Sequence, residues 1–205
     1  MMKFLHISLL FILLTTSCGR PLFNLSEGES FTEGDFENPY FSSHDIDYVY
    51  KARIEVFSST LGGLLIIKKI EKNHHRVVFT TEFGTKLLDF EFKGATFKVN
   101  FIQQKMNKKM LIHLLRKDFE LLISQFNPIH KMYLLEGNNV FLSKKEGKYR
   151  YYFTDKNERL TKISSGRKRR EQVIILFDKN SDNLAEEIQI KHKNFKLNIE
   201  LSFLH

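Results

Sequence analysis

A chain of 205 residues is long enough for one domain with a real core and too short for two comfortable ones. With 42% hydrophobic and 13% aromatic residues, 20 Phe, 10 Gly and 3 Pro, it is neither disordered nor low in complexity. The formal charge of +8 suits phosphate-bearing partners, nucleic acid or anionic lipid headgroups, as well as a plain solvated surface. One cysteine, Cys18, excludes an intrachain disulfide.

The chain opens "MMKFLHISLLFILLTTSC", with one positive charge at Lys3 and an apolar run from Phe4 to Leu14. As a helix that run would rise about 16 Å, roughly half of a ~30 Å hydrocarbon core, so residues 1–17 read as a secretion signal peptide and not a membrane span. Its end resembles the lipobox of bacterial lipoproteins. Thr16 and Ser17 fit the positions before the cysteine, and the aliphatic Leu14 lies one place further out than the usual pattern. The resemblance implies that Cys18 becomes a lipidated N-terminus; the alternative is an ordinary cleaved signal. Gly19 stands where the family's inner-membrane retention signal has aspartate, which favours the outer membrane. Residues 18–40, rich in Gly, Ser and Glu, read as an extended tether. The remaining span, 41–205, reads as one β domain.

From Tyr48 the period is two. "YVYKARIEVF" puts Tyr48, Tyr50, Ala52, Ile54 and Val56 on one face. "LLIIKKI" follows Gly62-Gly63, a bulge or a close approach. "HRVVFTTEF", "TKLLDFEFK" and "ATFKVNFIQ" complete five strands with short connections, an antiparallel meander. The period then lengthens. "KMNKKMLIHLLRKDFELLISQF" spaces Met110, Leu111, Leu114, Leu115, Leu122 and Phe126 along one helical face, and Pro128 should end it. Six further strands follow: "VFLSKKE", "KYRYYFT", "ERLTKISS", "EQVIILFD", "EEIQIKHK" and "FKLNIELSF". The predicted fold is mainly β with an α lid, an unclosed antiparallel barrel or half-barrel of about 11 strands with the helix between the fifth and sixth. The concave face of that curled sheet is the place for the helix to bury its stripe.

A phenylalanine at a turn needs a reason. Taking Phe83-Gly84 as a two-residue loop sets Phe79 opposite Leu88 and Val77 opposite Phe90, apolar on apolar. Phe83 then lies outside the ladder, where tight turns prefer Asn, Asp or Gly. Either the loop is longer and the ring folds onto the core, or the ring is exposed for use. The lipidated start, this hairpin, the strand after it and the "KKMLIHLLRKDFELLIS" helix resemble LolB, the outer-membrane lipoprotein that receives other lipoproteins from the periplasmic carrier LolA. The likeness spans roughly Tyr48 to Phe126. It implies an apolar cavity for acyl chains under a helical lid, and an exposed apolar loop residue that helps cargo enter the membrane. The residue matching that loop is Phe83, with Gly84 beside it; Glu82 stands where the family has proline.

Cavity-lining candidates are the inward apolar positions: Ile54 and Val56 on the first strand, Val77 and Phe79 on the third, Leu88 and Phe90 on the fourth. Phe97, Val99 and Phe101 follow on the fifth, with Leu114, Leu115 and Leu122 on the helix. The same residues would equally fill a solid core. Arg167, Lys168, Arg169 and Arg170 concentrate charge beside Gly166, fitting lipid headgroups, an acidic carrier surface or a solvated turn. Nucleic acid is set aside because the signal directs the chain out of the cytoplasm. His74 and His75 point to opposite faces of a strand and cannot share a metal. Ser42, Ser43, His44, Asp45 and Asp47 contain the elements of a hydrolase relay, without a nucleophile elbow, and read as polar capping.

These observations predict a monomeric, non-enzymatic outer-membrane lipoprotein facing the periplasm, without cofactor or metal. Its partners would be the membrane, acylated lipoproteins or lipids, and a LolA-like carrier. An envelope lipoprotein that scaffolds or senses by binding proteins is the alternative on the same fold.

Overall fold

The computed structural model describes residues 26–27, 34–167, 170–181 and 183–205. The signal segment, Cys18, Lys168 and Arg169 lie outside them. Two short strands come first, β1 (Ser26–Glu27) and β2 (Gly34–Glu37). The meander follows as β3 (Asp47–Val56), β4 (Ser59–Glu71), β5 (His74–Thr80), β6 (Lys86–Lys93) and β7 (Thr96–Ile102). Helix α1 (Lys109–Ile123) interrupts it. The chain then continues through β8 (Phe126–Ile129), β9 (Lys131–Leu135), β10 (Asn138–Lys145), β11 (Lys148–Thr154), β12 (Leu160–Arg167), β13 (Arg170–Asn180), β14 (Ala185–His192) and β15 (Leu197–Phe203).

One 13-stranded antiparallel sheet runs in the order β1-β9-β10-β11-β12-β13-β14-β15-β3-β4-β5-β6-β7. Every neighbour from β9 to β15, and from β3 to β7, is also next in sequence. Two joins are long-range, the short β1 with β9 and the long β15 with β3, where Ile199 lies opposite Ile54 and Leu201 opposite Ala52. The free edges are therefore β7 and β1, and the chain between β7 and β9 carries the helix. This is the expected unclosed barrel.

Alternation becomes burial directly. On β3, Tyr48, Tyr50, Ala52, Ile54 and Val56 are buried while Lys51 and Arg53 are exposed. Helix α1 lays Leu111, Leu115, Phe119 and Leu122 into the same hydrophobic cluster as the sheet's inner face, with the Phe119 and Phe90 rings 6.4 Å apart. Each fully buried side chain of this kind contributes about 1.5–3 kcal/mol.

Three expectations are corrected. The helix stops at Ile123, earlier than Pro128 suggested, because Ser124 is extended and the Asn38 amide donates to the Leu122 carbonyl at 2.9 Å. That side chain satisfies one of the last-turn carbonyls that a helix leaves open. Pro128 sits instead in β8, opposite Asp35 of β2, in a two-stranded ribbon where a missing N–H is tolerated. The segment read as tether up to residue 40 is thus partly folded: β2 pairs with β8, and the buried Tyr40 hydroxyl donates to the Leu160 carbonyl at 2.7 Å. All eleven expected strands are present; β1, β2, β8 and β9 are additional.

Gly62-Gly63 marks a close approach inside β4. A Cβ on Gly63 would stand 1.9 Å from the Thr80 carbonyl oxygen, which belongs to paired backbone and cannot swing away. Gly63→Ala should destabilise the domain by roughly 2–4 kcal/mol in chemical denaturation, whereas Gly62→Ala, with open space around it, should be far milder.

Candidate functional site

The β5–β6 connection is five residues long, not two. The register matches expectation up to Phe79 opposite Leu88, and then shifts by a bulge so that Thr80 faces Lys86. Thr81 and Thr85 close the loop: Thr81 N–H donates to the Thr85 carbonyl at 2.9 Å, and Gly84 N–H donates to the Thr81 carbonyl at 2.9 Å. Thr85 N–H also donates to Thr81 Oγ1. Gly84 takes φ 81°, open to glycine at no steric penalty. The backbone is tied down on both sides of Phe83, and its ring stands 98% exposed. The core alternative for Phe83 is overturned.

The outer face beneath this loop is clamped by charge. Asp89 on β6 is 1% exposed and accepts two hydrogen bonds from Arg76 on β5, at 2.9 and 2.7 Å. Lys86 adds a third at 3.0 Å, and Asn100 on β7 reaches the same carboxylate. These hydrogen bonds, led by Arg76, hold the Asp89 carboxyl down at about 2 despite its burial.

Antiparallel order places the turns alternately at two ends of the sheet. The Thr81–Thr85 loop, the Phe57-Ser58 turn, the Lys193–Lys196 turn and the β12–β13 turn flanked by Arg167 and Arg170 fall at one end. Phe57 and Phe195 are 50% and 42% exposed there. Phe57 also takes φ 55°, a region that bulky residues avoid. That end therefore combines aromatic tips with basic side chains, Lys191, Lys193, Lys196, Arg167 and Arg170 among them.

The apolar hollow expected beneath the helix is filled. Ile54, Val77, Phe79, Leu88, Phe90, Leu115 and Leu122 are each 0% exposed and Val56 8%, all within one packed cluster, with Leu114 partly buried against it. Val99 and Phe101, on edge strand β7, are instead 36% and 43% exposed. Of the candidates, Phe97 faces open space: it lines a cleft of about 340 Å³ on the open side of the barrel. Phe92, Ile123 and Phe126 supply further apolar wall, and Arg116, Glu120, Lys145 and Glu146 supply charge. The Arg116 guanidinium lies 4.9 Å from the Phe97 ring centre, a cation–π contact that covers part of that wall. Elsewhere under the helix, Asp118 of α1 and His192 of β14 pair at 2.9 Å with side chains 1% and 3% exposed. Burial raises the Asp118 carboxyl above its ordinary value, against the pull of His192. The sequence reading passed over this pair, although Asp118 interrupts the helix's buried apolar stripe.

The polar cluster near the domain start does not form a relay. Ser42 donates to the Pro39 carbonyl, Ser43 Oγ accepts from Asp45 N–H, His44 lies on the Ile70 carbonyl, and Asp47 pairs with Lys68. His74 and His75 diverge as expected, His74 to Glu91 at 2.9 Å and His75 to the Phe41 carbonyl at 3.0 Å. Burial lowers the His75 imidazole's pKa.

No family model matches the chain, and no curated protein matches it. Three solved structures are similar to the chain at low sequence identity. A domain from Vibrio parahaemolyticus named for outer membrane lipoprotein sorting is 15% identical, with a TM-score of 0.46 over 78% of this chain and 83% of that one. A LolA-superfamily protein from Nitrosomonas europaea is 8% identical, with a TM-score of 0.45 over 78% and 84%. A DUF1329-family protein from Desulfovibrio piger is 9% identical, with a TM-score of 0.41 over 80% and 87%.

The Asp89 clamp makes the hairpin acid-sensitive. The fold favours the carboxylate, so its contribution is complete above the ordinary value of 3.8 and is lost as pH falls through about 2. The loss should be on the order of 2 kcal/mol. Denaturant titrations of wild type and Asp89→Asn over that window should converge as pH falls, the variant lacking this component.

Proposed function

We propose that this chain is a lipid-anchored protein of the bacterial outer membrane that docks its Phe83 end on the bilayer and shelters apolar chains of acylated cargo without catalysing a reaction. The observation that carries the reading is the fully exposed Phe83 ring on a hydrogen-bonded loop. Phe57 at a second tip, held in a disfavoured backbone region, and the basic turn bounded by Arg167 and Arg170 support it. A ring buried in the interfacial layer gains up to ~1.5–3 kcal/mol, too little to anchor a protein yet enough to orient one already tethered through Cys18.

The core is filled by its own side chains, so the cleft walled by Phe92, Phe97, Ile123 and Phe126 is where a chain would first lodge. Cargo would arrive from a LolA-like carrier and pass on by small differences in apolar burial. The filled core also favours a second reading, in which the tethered domain binds proteins and carries no lipid.

Phe83→Glu should leave the thermal transition unchanged and reduce association with anionic vesicles about tenfold or more, measured by flotation. Unchanged flotation would remove the Phe83 end from the mechanism. Lipid released by organic extraction from the native protein supports the carrier reading; its absence alongside a stable protein partner supports the scaffold.

A further inference from the structure

Under the C-terminal half of α1, the inner face of β10–β12 is polar where the rest is apolar. Arg150 on β11 lies directly between Ser143 of β10 and Ser165 of β12, and directly paired residues share one face of a sheet. Tyr152 stands two residues on, on the same face. The four residues are nearly or fully buried, Arg150 at 5% exposure and Tyr152 at 0%.

This buried guanidinium is under-satisfied. Its Nε and Nη1 have no hydrogen-bond partner of good geometry among the described residues, and the Tyr152 hydroxyl beside them meets only the guanidinium itself, too loosely for a well-formed bond. Buried donors left unpaired are rare and expensive, on the order of 1–3 kcal/mol each. Among the described residues Arg150 forms an ion pair with Glu120 of α1, at 3.6 Å from Nη2, well beyond the roughly 2.7–2.9 Å of a good charge-assisted bond. Glu120 is shared with Lys117 at 3.3 Å and Lys145 at 3.7 Å.

Charge is unbalanced in the same direction. Lys145 and Lys148 lie directly opposite each other across β10 and β11, an unfavourable pairing of like charges. Lys117, Lys145 and Arg150 pair with Glu120 or Glu146, and Lys148 feels Asp118 and Glu120, so four cations stand among three carboxylates. Burial, followed by Lys117 and Arg150, pushes the Lys148 ammonium below its ordinary value. Burial raises the Tyr152 hydroxyl to about 12, so it remains a proton donor at neutral pH.

We propose that Arg150, Tyr152 and Lys148 form a phosphate-binding site beneath α1, entered from the cleft past Glu120. A phosphate answers both deficits: it offers acceptors to several donors at once and offsets the local excess of positive charge. A planar guanidinium suits it through two parallel N–H bonds. Glu120 acts as the internal occupant that phosphate displaces, its long contact making exchange easy. The phosphate is either inorganic or the headgroup of a lipid; the second source deepens the lipid reading above, while the site itself stands without it.

Calorimetric titration of the full chain with inorganic phosphate and, separately, with dihexanoyl phosphatidate tests this. Saturable binding is expected, at least tenfold weaker in Arg150→Lys and severalfold tighter in Glu120→Gln, which removes the competing carboxylate and keeps its shape. Should Arg150→Lys fail to fold, Tyr152→Phe, which removes one donor, is expected to weaken binding severalfold. Equal affinity for both probes assigns the site to phosphate as such and gives the lipid reading no support. Phosphatidate binding at least tenfold tighter assigns it to a lipid headgroup. Absence of saturable binding by either probe, or binding indifferent to both Glu120→Gln and Tyr152→Phe, would overturn the proposal, with water satisfying the buried donors.

Discussion

The antiparallel pairing of β15 with β3 joins the end of the described chain to the start of its meander, seven residue pairs from Leu197–Val56 to Phe203–Tyr50. Every other ladder in the large sheet beyond the short β1 joins sequence neighbours, and their closure entropies are small. This one spans nearly the whole domain. Once it forms, the middle of the chain must supply both flanks of the opening, and the helix, the only long break in the strand pattern, comes to lie across it. Fold and site share that origin.

The opening divides two chemistries. Against β3–β6 the helix shares one apolar cluster with Phe79, Leu88 and Phe90, the Phe119 ring lying 6.4 Å from Phe90. Towards β10–β14 it meets Arg150 and His192 through Glu120 and Asp118. An apolar contact slides and repacks at little penalty, whereas buried ions tolerate only their own partners. The helix is therefore located laterally by its polar side and held down by its greasy one. The cleft lies where the two regimes meet, which gives it both an aromatic wall and a charged mouth.

Much of this was readable in advance. Strict alternation marked eleven strands, and pairing Val77 with Phe90 set the right register for β5 and β6. The loop length was misread because a bulge beside Thr80 cannot be seen in the pattern, although Phe83 lies outside the ladder as expected. Strands β8 and β9 escaped because four or five residues, one of them Pro128, carry too little period to register. The hollow was expected from an excess of Phe, yet contact area alone does not distinguish a filled interior from an empty one. Arg150 was in view: "KYRYYFT" puts it in phase with Tyr152, a charge on the buried face of an otherwise readable strand. Asp118 had the same status on the helix. Both interrupt a clean apolar pattern, and each meets a charged partner across the helix–sheet contact, Arg150 with Glu120 and Asp118 with His192.

The outermost strand, β7, has a further consequence. It keeps one row of backbone N–H and C=O groups without a strand neighbour, and such a margin invites another molecule to add its own strand. The ladder joining β6 to β7 is broken between Asp89 and Phe90, and the exposed Lys98 projects from the short run that follows. A kinked, charged border makes a poor template for intermolecular strand addition. That irregularity protects the open margin of an unclosed barrel against edge-to-edge pairing that could seed a fibre.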